Sequence, residues 1–154
     1  MAEYRKSPEV KEIAKELISK YHKHLQSARM EYLFRDKAGK SGGNAVLGNT
    51  RKVSGIYQTL TGLDFIIDIA EDTWQELTEN QRYALIDHEL YHCGINEQGN
   101  FVIIKHDVTE FIPIIKRYGL WTEGLQVLGQ NVDMNVPKET KGDNVVPLNK
   151  ASNE

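Results

Sequence analysis

Apolar residues recur at three- and four-residue steps from Val10 to Leu25, through Ile13, Ala14, Leu17, Ile18 and Tyr21. That spacing predicts one buried stripe on a helix of roughly 18 residues. Ser7, Pro8 and Glu9 mark its start: a capping serine, a proline in the first turn and an acid near the positive end of the dipole. Residues 30–34 (MEYLF) read as a short strand. Residues 36–50, rich in Gly, Lys, Asn and Ser, read as a loop or β-turn region. The segment 53–60 suits a strand or a short helix equally. Residues 63–70 (LDFIIDIA) alternate, with Phe65, Ile67 and Ile69 on one side and Asp64, Ile66 and Asp68 on the other. This predicts a strand with one buried face at a sheet edge, where charge guards against mispairing.

Further along, Thr78 and Gln81 form a capping box that opens a helix from about 79 to 93, with Gly94 as its stop. A turn at 96–100 and a short strand at 101–104 (FVII) follow. Asp107 and Glu110 make a second capping box, for a helix whose apolar face is Val108, Phe111, Ile112, Ile115 and Tyr118 and whose end is Gly119. Pro113 lies beyond the first turn of that helix and predicts a kink or a broken turn. A last short helix is expected over 122–128. The pattern as a whole predicts one α+β domain over residues 1–131, a small twisted β-sheet packed with helices. A polar tail over 132–154 is expected to be disordered.

Composition adds exclusions. The chain has 154 residues, 40% hydrophobic and 27% charged, enough for one real core. A formal charge of −3 does not suit a protein built as a whole for nucleic acid or an anionic membrane. Cys93 is the single cysteine, which excludes an intrachain disulfide and a thiolate-based structural zinc site. The N-terminus lacks the apolar core of a signal peptide, and no apolar run is long enough to span a bilayer. A cytoplasmic location is the expectation.

The predicted second helix contains His88-Glu89-Leu90-Tyr91-His92, an H-E-x-x-H. Four residues advance a helix by about one turn, so both imidazoles point the same way and can share one metal ion. Glu89, one position past the first histidine, stands beside the ion and can take a proton from a water activated there. The motif arises by chance in roughly one chain in two hundred of this length. Here, however, it falls on a capped helix after a predicted strand, the context it requires. The implied chemistry is zinc-dependent hydrolysis, with His88 and His92 as ligands and Glu89 as general base.

A hydrolytic zinc site also needs a third protein ligand and an open position for water. Downstream candidates are Glu97, His106, Asp107 and Glu110. His106 is favoured: it is an imidazole just ahead of a helix, and the preceding turn and strand let the chain double back. Glu110 is the main competitor, although the capping box offers its carboxylate a local partner.

The stretch HELYHCGINEQGNFVIIKHDVTEFIPIIKRYG resembles the SprT-like zincin peptidases, which pair H-E-x-x-H with a third histidine opening another helix and an acid and an aromatic soon after. The corresponding residues here are His88, Glu89, His92, His106, Glu110 and Phe111. The HELxHC…HDxxEF pattern is more similar still to the phage metallopeptidase family, over about residues 64–121. These resemblances imply a zincin-like fold with the motif on a central helix, Zn²⁺ as cofactor, His106 as third ligand and a peptide or protein substrate. SprT-like DNA-repair proteases often add a cysteine-rich zinc module, and with one cysteine the resemblance does not extend to DNA-dependent activity.

Weaker signals have plainer explanations. Gly39-Lys40-Ser41 matches the end of a phosphate-binding loop, but Phe34 stands where its first glycine is needed. His22 and His24 are two apart, so a helix would point them to different faces, and both read as exposed polar residues. Cys93 reads as a small buried hydrophobe and Tyr91 as a packing residue. Arg117, Tyr118 and Tyr57 are available as oxyanion donors, and the sequence ranks none of them. Lys37, Lys40, Arg51 and Lys52 form a local basic stretch, solvated in the plain reading and a nucleic-acid contact in the sharper one. Two other function classes therefore stand beside the hydrolase: a non-catalytic zinc-stabilised binding or adaptor protein, and a nucleic-acid-associated protein using this basic stretch.

Overall fold

A computed structural model describes residues 1–106, 110–122, 125 and 126. The expected disordered tail, most of the expected helix over 122–128, and Asp107 lie outside the described residues. After a short strand β1 (Tyr4–Lys6), helix α1 (Pro8–Tyr21) starts as its sequence dictates, with Ser7 Oγ accepting the Val10 N–H at 3.1 Å. It is 14 residues long, shorter than the apolar stripe suggests. The chain leaves the helix at His22, whose ring is buried against Asp87, and Leu25 enters the core from a separate 3-10 turn, Lys23–Leu25.

Strand β2 (Met30–Arg35) follows. Residues 36–50 are more ordered than a loop: β3 (Gly39–Ser41) and β4 (Asn44–Val46) form a hairpin, and β5 (Gly48–Lys52) begins directly after it. The hairpin's two central residues, Gly42 and Gly43, both have positive φ, which tight two-residue turns need and side chains resist. The undecided segment is a helix, α2 (Gly55–Thr61), stopped by Gly62 in the left-handed region. Its Ile56, Tyr57 and Leu60 are exposed.

Strand β6 (Phe65–Ala70) departs from expectation. It is not at an edge: β2 pairs with it in parallel on one side and β5 antiparallel on the other, in a sheet ordered β1-β2-β6-β5. Both of its faces are buried, Asp68 included. The charge that looked like an edge guard is compensated from the neighbouring strands, by an ion pair with Arg51 of β5 and by Arg35 Nε of β2 at 4.0 Å.

A single turn, α3 (Glu71–Trp74), leads to α4 (Glu79–Tyr91), opened by the expected capping box. The hairpin β7 (Cys93–Ile95) and β8 (Phe101–Ile103) follows, its turn held by Asn96 Oδ1 accepting the N–H groups of Gln98 and Asn100. Gly94 is not a helix stop. It sits within β7, where the Ile104 side chain would have to move to admit a Cβ. Helix α5 (Ile112–Tyr118) begins later than the Asp107 and Glu110 pattern suggests, so Pro113 falls in its first turn and no kink arises. Gly119 ends it, as expected.

The described residues thus form an α+β fold with a small mixed sheet and five α-helices. Helix α1 packs on β2, α4 packs on β5, and the two helices pack on each other. Phe65, Ile67 and Ile69 from the sheet, Val10, Ala14 and Leu17 from α1, and Leu85, Ile86 and Leu90 from α4 fill one core, with Ile114 and Ile115 of α5 joining it. No described helix is long and apolar enough to cross a membrane.

Candidate metal centre

The capping box sets where α4 starts. Thr78 Oγ1 accepts the Gln81 N–H at 3.2 Å and Gln81 Oε1 accepts the Thr78 N–H at 3.0 Å. Thirteen residues on, the helix ends with His88 and Glu89 in its last turn and His92 as its C-cap. The two histidine rings are 5.1 Å apart between centroids. The β7–β8 hairpin then returns the chain to this helix end, where the Ile104 N–H bonds to the His92 carbonyl at 2.8 Å. Two residues later His106 places its ring 4.6 Å from those of both His88 and His92.

One ring nitrogen from each histidine lies within 4.8 Å of the other two. His88 Nε2 and His106 Nε2 are 2.9 Å apart. On the far side of its ring, His92 gives its Nδ1 hydrogen to the Ile104 carbonyl at 2.7 Å, and His88 Nδ1 meets Glu110 Oε1. Carbonyl and carboxylate both accept, so hydrogens sit on the Nδ1 atoms and lone pairs on the Nε2 atoms. Phe111 floors the cluster, its ring centroid 5.4, 5.0 and 5.2 Å from His88, His92 and His106.

This setting favours the neutral ring at His92 and at His106. Burial, then the proximity of His88 and His92, pushes the His106 pKa down to about 3. His92 is lowered too, mainly by burial and then by His88, against the opposing pull of the Ile104 carbonyl and Glu110. Three imidazoles that each bring one ring nitrogen within 4.8 Å of the other two fit a divalent metal ion.

Glu89 is fully buried beside the cluster, its Oε2 3.8 Å from His88 Nε2. Its carboxylate rests against β5. Thr50 donates its hydroxyl to Glu89 Oε1 at 2.7 Å, and a Cβ at Gly48 would stand 3.1 Å from Glu89 Oε2. Sequence reasoning missed Thr50, Gly48 and the Ile104 carbonyl, because nothing local marks a strand register or a hairpin's return. It noticed Glu110 but gave it other partners.

The remaining candidates sit elsewhere. Glu97 is exposed in the hairpin turn and outside the histidine cluster. Arg117 Nη1 and the Tyr118 hydroxyl both donate to Asp87, at 2.9 Å each, and Tyr57 is exposed on α2. His22 is not an exposed polar residue, since its Nε2 bonds to buried Asp87, while His24 Nε2 contacts the Cys93 carbonyl at 2.8 Å. Cys93 is buried, and burial raises its thiol pKa. Tyr91 packs edge-on against His22 and tilted against Phe111. Lys37, Lys40, Arg51 and Lys52 are exposed, and Arg51 is committed to Asp68.

Fold and site together define an α+β protein with a three-histidine cluster compatible with a metal ion. Residues 2–133 match the family described as "Putative phage metallopeptidase", and the chain belongs to that family. No curated protein and no solved structure matches it.

Proposed function

We propose that this protein is a zinc-dependent peptidase of the zincin type, with His88, His92 and His106 holding the ion and Glu89 as general base. The observation that carries the proposal is the convergence of three imidazoles beside one buried carboxylate. The resemblance of the motif segment to SprT-like zincins supports it. Imidazole ligands suit zinc along with other transition metals, and a bound zinc would supply Lewis acidity to a substrate carbonyl and to water.

The chain's own residues do the rest. Glu89, pinned at Oε1 by Thr50, takes the proton of the attacking water as the new C–O bond forms at the peptide carbonyl. It returns that proton to the amine nitrogen as the C–N bond breaks. The Glu110 and Ile104 contacts keep the rings of His88 and His92 turned inward throughout. The substrate is a peptide or protein, and the place of action is the cytoplasm, that of the host if the chain is phage-encoded.

Metal content of the purified protein tests the centre. About one zinc per chain is expected in the wild type, as for a mononuclear hydrolytic site, reduced in His92→Ala and His106→Ala. Glu89→Gln separates catalysis from binding. It should keep its zinc and lose nearly all turnover of a peptide substrate. Full activity in that variant would remove Glu89 from the mechanism. Zinc bound without any hydrolysis, in wild type and variant alike, would instead favour a metal-stabilised binding protein.

A further inference from the structure

The histidine cluster is asymmetric in what stands behind it. His92 is backed by a neutral carbonyl, that of Ile104. His88 is backed by Glu110, a carboxylate only 2% exposed. Both oxygens of Glu110 are occupied as acceptors: Oε1 also takes the Phe111 N–H at 2.9 Å, and Oε2 takes the Trp121 indole N–H at 3.1 Å. The contact with His88 therefore uses the Nδ1 hydrogen, and the other ring nitrogen, Nε2, faces His106 Nε2 at 2.9 Å.

The sequence offers Glu110 as a competing ligand or as half of a capping box, and its contacts match neither role. We propose that Glu110 is a positioning residue: it fixes the Nδ1–H tautomer and the direction of the His88 ring, and places a buried negative charge behind that ligand. Trp121 extends the arrangement by holding the carboxylate from beyond α5. The assignment rests on the three-histidine zinc site proposed above. A histidine so backed is a stronger donor, and loss of such a partner weakens metal binding without removing a ligand.

The test has two parts, both on the full chain. Nitrogen NMR of the metal-free wild type should show His88 protonated at Nδ1 and bare at Nε2. Competition titration with zinc should then show Glu110→Gln weakened by roughly 10–100-fold, with His106→Ala losing more. The opposite His88 tautomer in the wild type would overturn the proposal and leave the zinc site standing, as would wild-type zinc affinity in Glu110→Gln. A Glu110→Ala protein that loses as much zinc as His106→Ala, with His88 Nδ1 bare, would make Glu110 a ligand and overturn it too. Absence of zinc binding in the wild type would instead remove the underlying site, and this role with it. The tautomer is read on the wild-type chain, so failure of a variant to fold does not silence the test.

Discussion

Gly48 shows how a residue without a side chain can bear on the proposed chemistry. A Cβ added there would lie 3.0 Å from Ile69 Cδ1, 3.1 Å from Glu89 Oε2 and 3.2 Å from Glu89 Cδ, tighter than most real contacts. Ile69 and Glu89 are both fully buried, so in Gly48→Ala the crowding falls on the carboxylate as well as on the Ile69 methyl. We expect zinc content and folding to survive and kcat to fall on the order of 10-fold or more, since small misplacements of a reacting group are costly. Steady-state kinetics beside metal analysis checks this, and an unchanged kcat would show that the cradle does not position Glu89. Thr50→Val should act in the same direction by removing the hydroxyl that pins Oε1. A hydrogen bond to a charged group contributes about 1.5–3 kcal/mol. At this scale the grouping of His88 and His92 was legible from helix spacing, and that of His106 from spacing together with the family resemblance. Gly48 and Thr50 were not, because they meet Glu89 only through the pairing of β5 with β6 and the packing of α4 on β5.

Among the elements, those announced by local chemistry were readable and those defined by partners were not. The starts of α1 and α4 follow from Ser7 and from the Thr78–Gln81 box, whose bonds close within four residues. The start of α5 was misplaced because Asp107 and Glu110 imitate such a box, while Glu110 is captured by His88 and Trp121. β6 looked like an edge because the arginines that compensate Asp68 belong to β2 and β5. Asp87 has the same character. It is fully buried at one end of α4, accepts from Arg117 and Tyr118 of α5, and bonds to His22 just past α1. One carboxylate thus ties three helices together beside His88. Asp87→Ala takes the carboxylate from buried His22 and from Arg117, which keeps its bond to the Tyr91 hydroxyl, and breaking a buried pair costs about 3–5 kcal/mol. Urea unfolding of the metal-free protein should show a loss of that size. A change under about 1 kcal/mol would mean that the helices hold together without this hub.

For the whole molecule, the three histidines link stability to acidity. Their cluster joins the end of α4 to the chain returning from the β7–β8 hairpin, so any ion it holds staples two distant segments. If the ion is zinc, as proposed, free zinc near 100 times its Kd would stabilise the native state by about 2.7 kcal/mol. Without metal the same histidines are a liability in acid. His106 titrates near 3 when folded, against an ordinary value of 6.5, and His92 is lowered as well. The unfolded chain therefore takes up protons first as the pH falls, and unfolding becomes easier. The metal-free protein should lose stability progressively below about pH 6.5, with the His106 contribution levelling off only near pH 3. Acidification should also release zinc, because protons compete for the same Nε2 lone pairs. Denaturant unfolding of metal-free wild type and His106→Ala between about pH 7 and pH 4 separates this from general acid sensitivity. The variant should show the shallower decline. Equal slopes would place the acid sensitivity outside the cluster and show that its histidines are not held neutral by their surroundings.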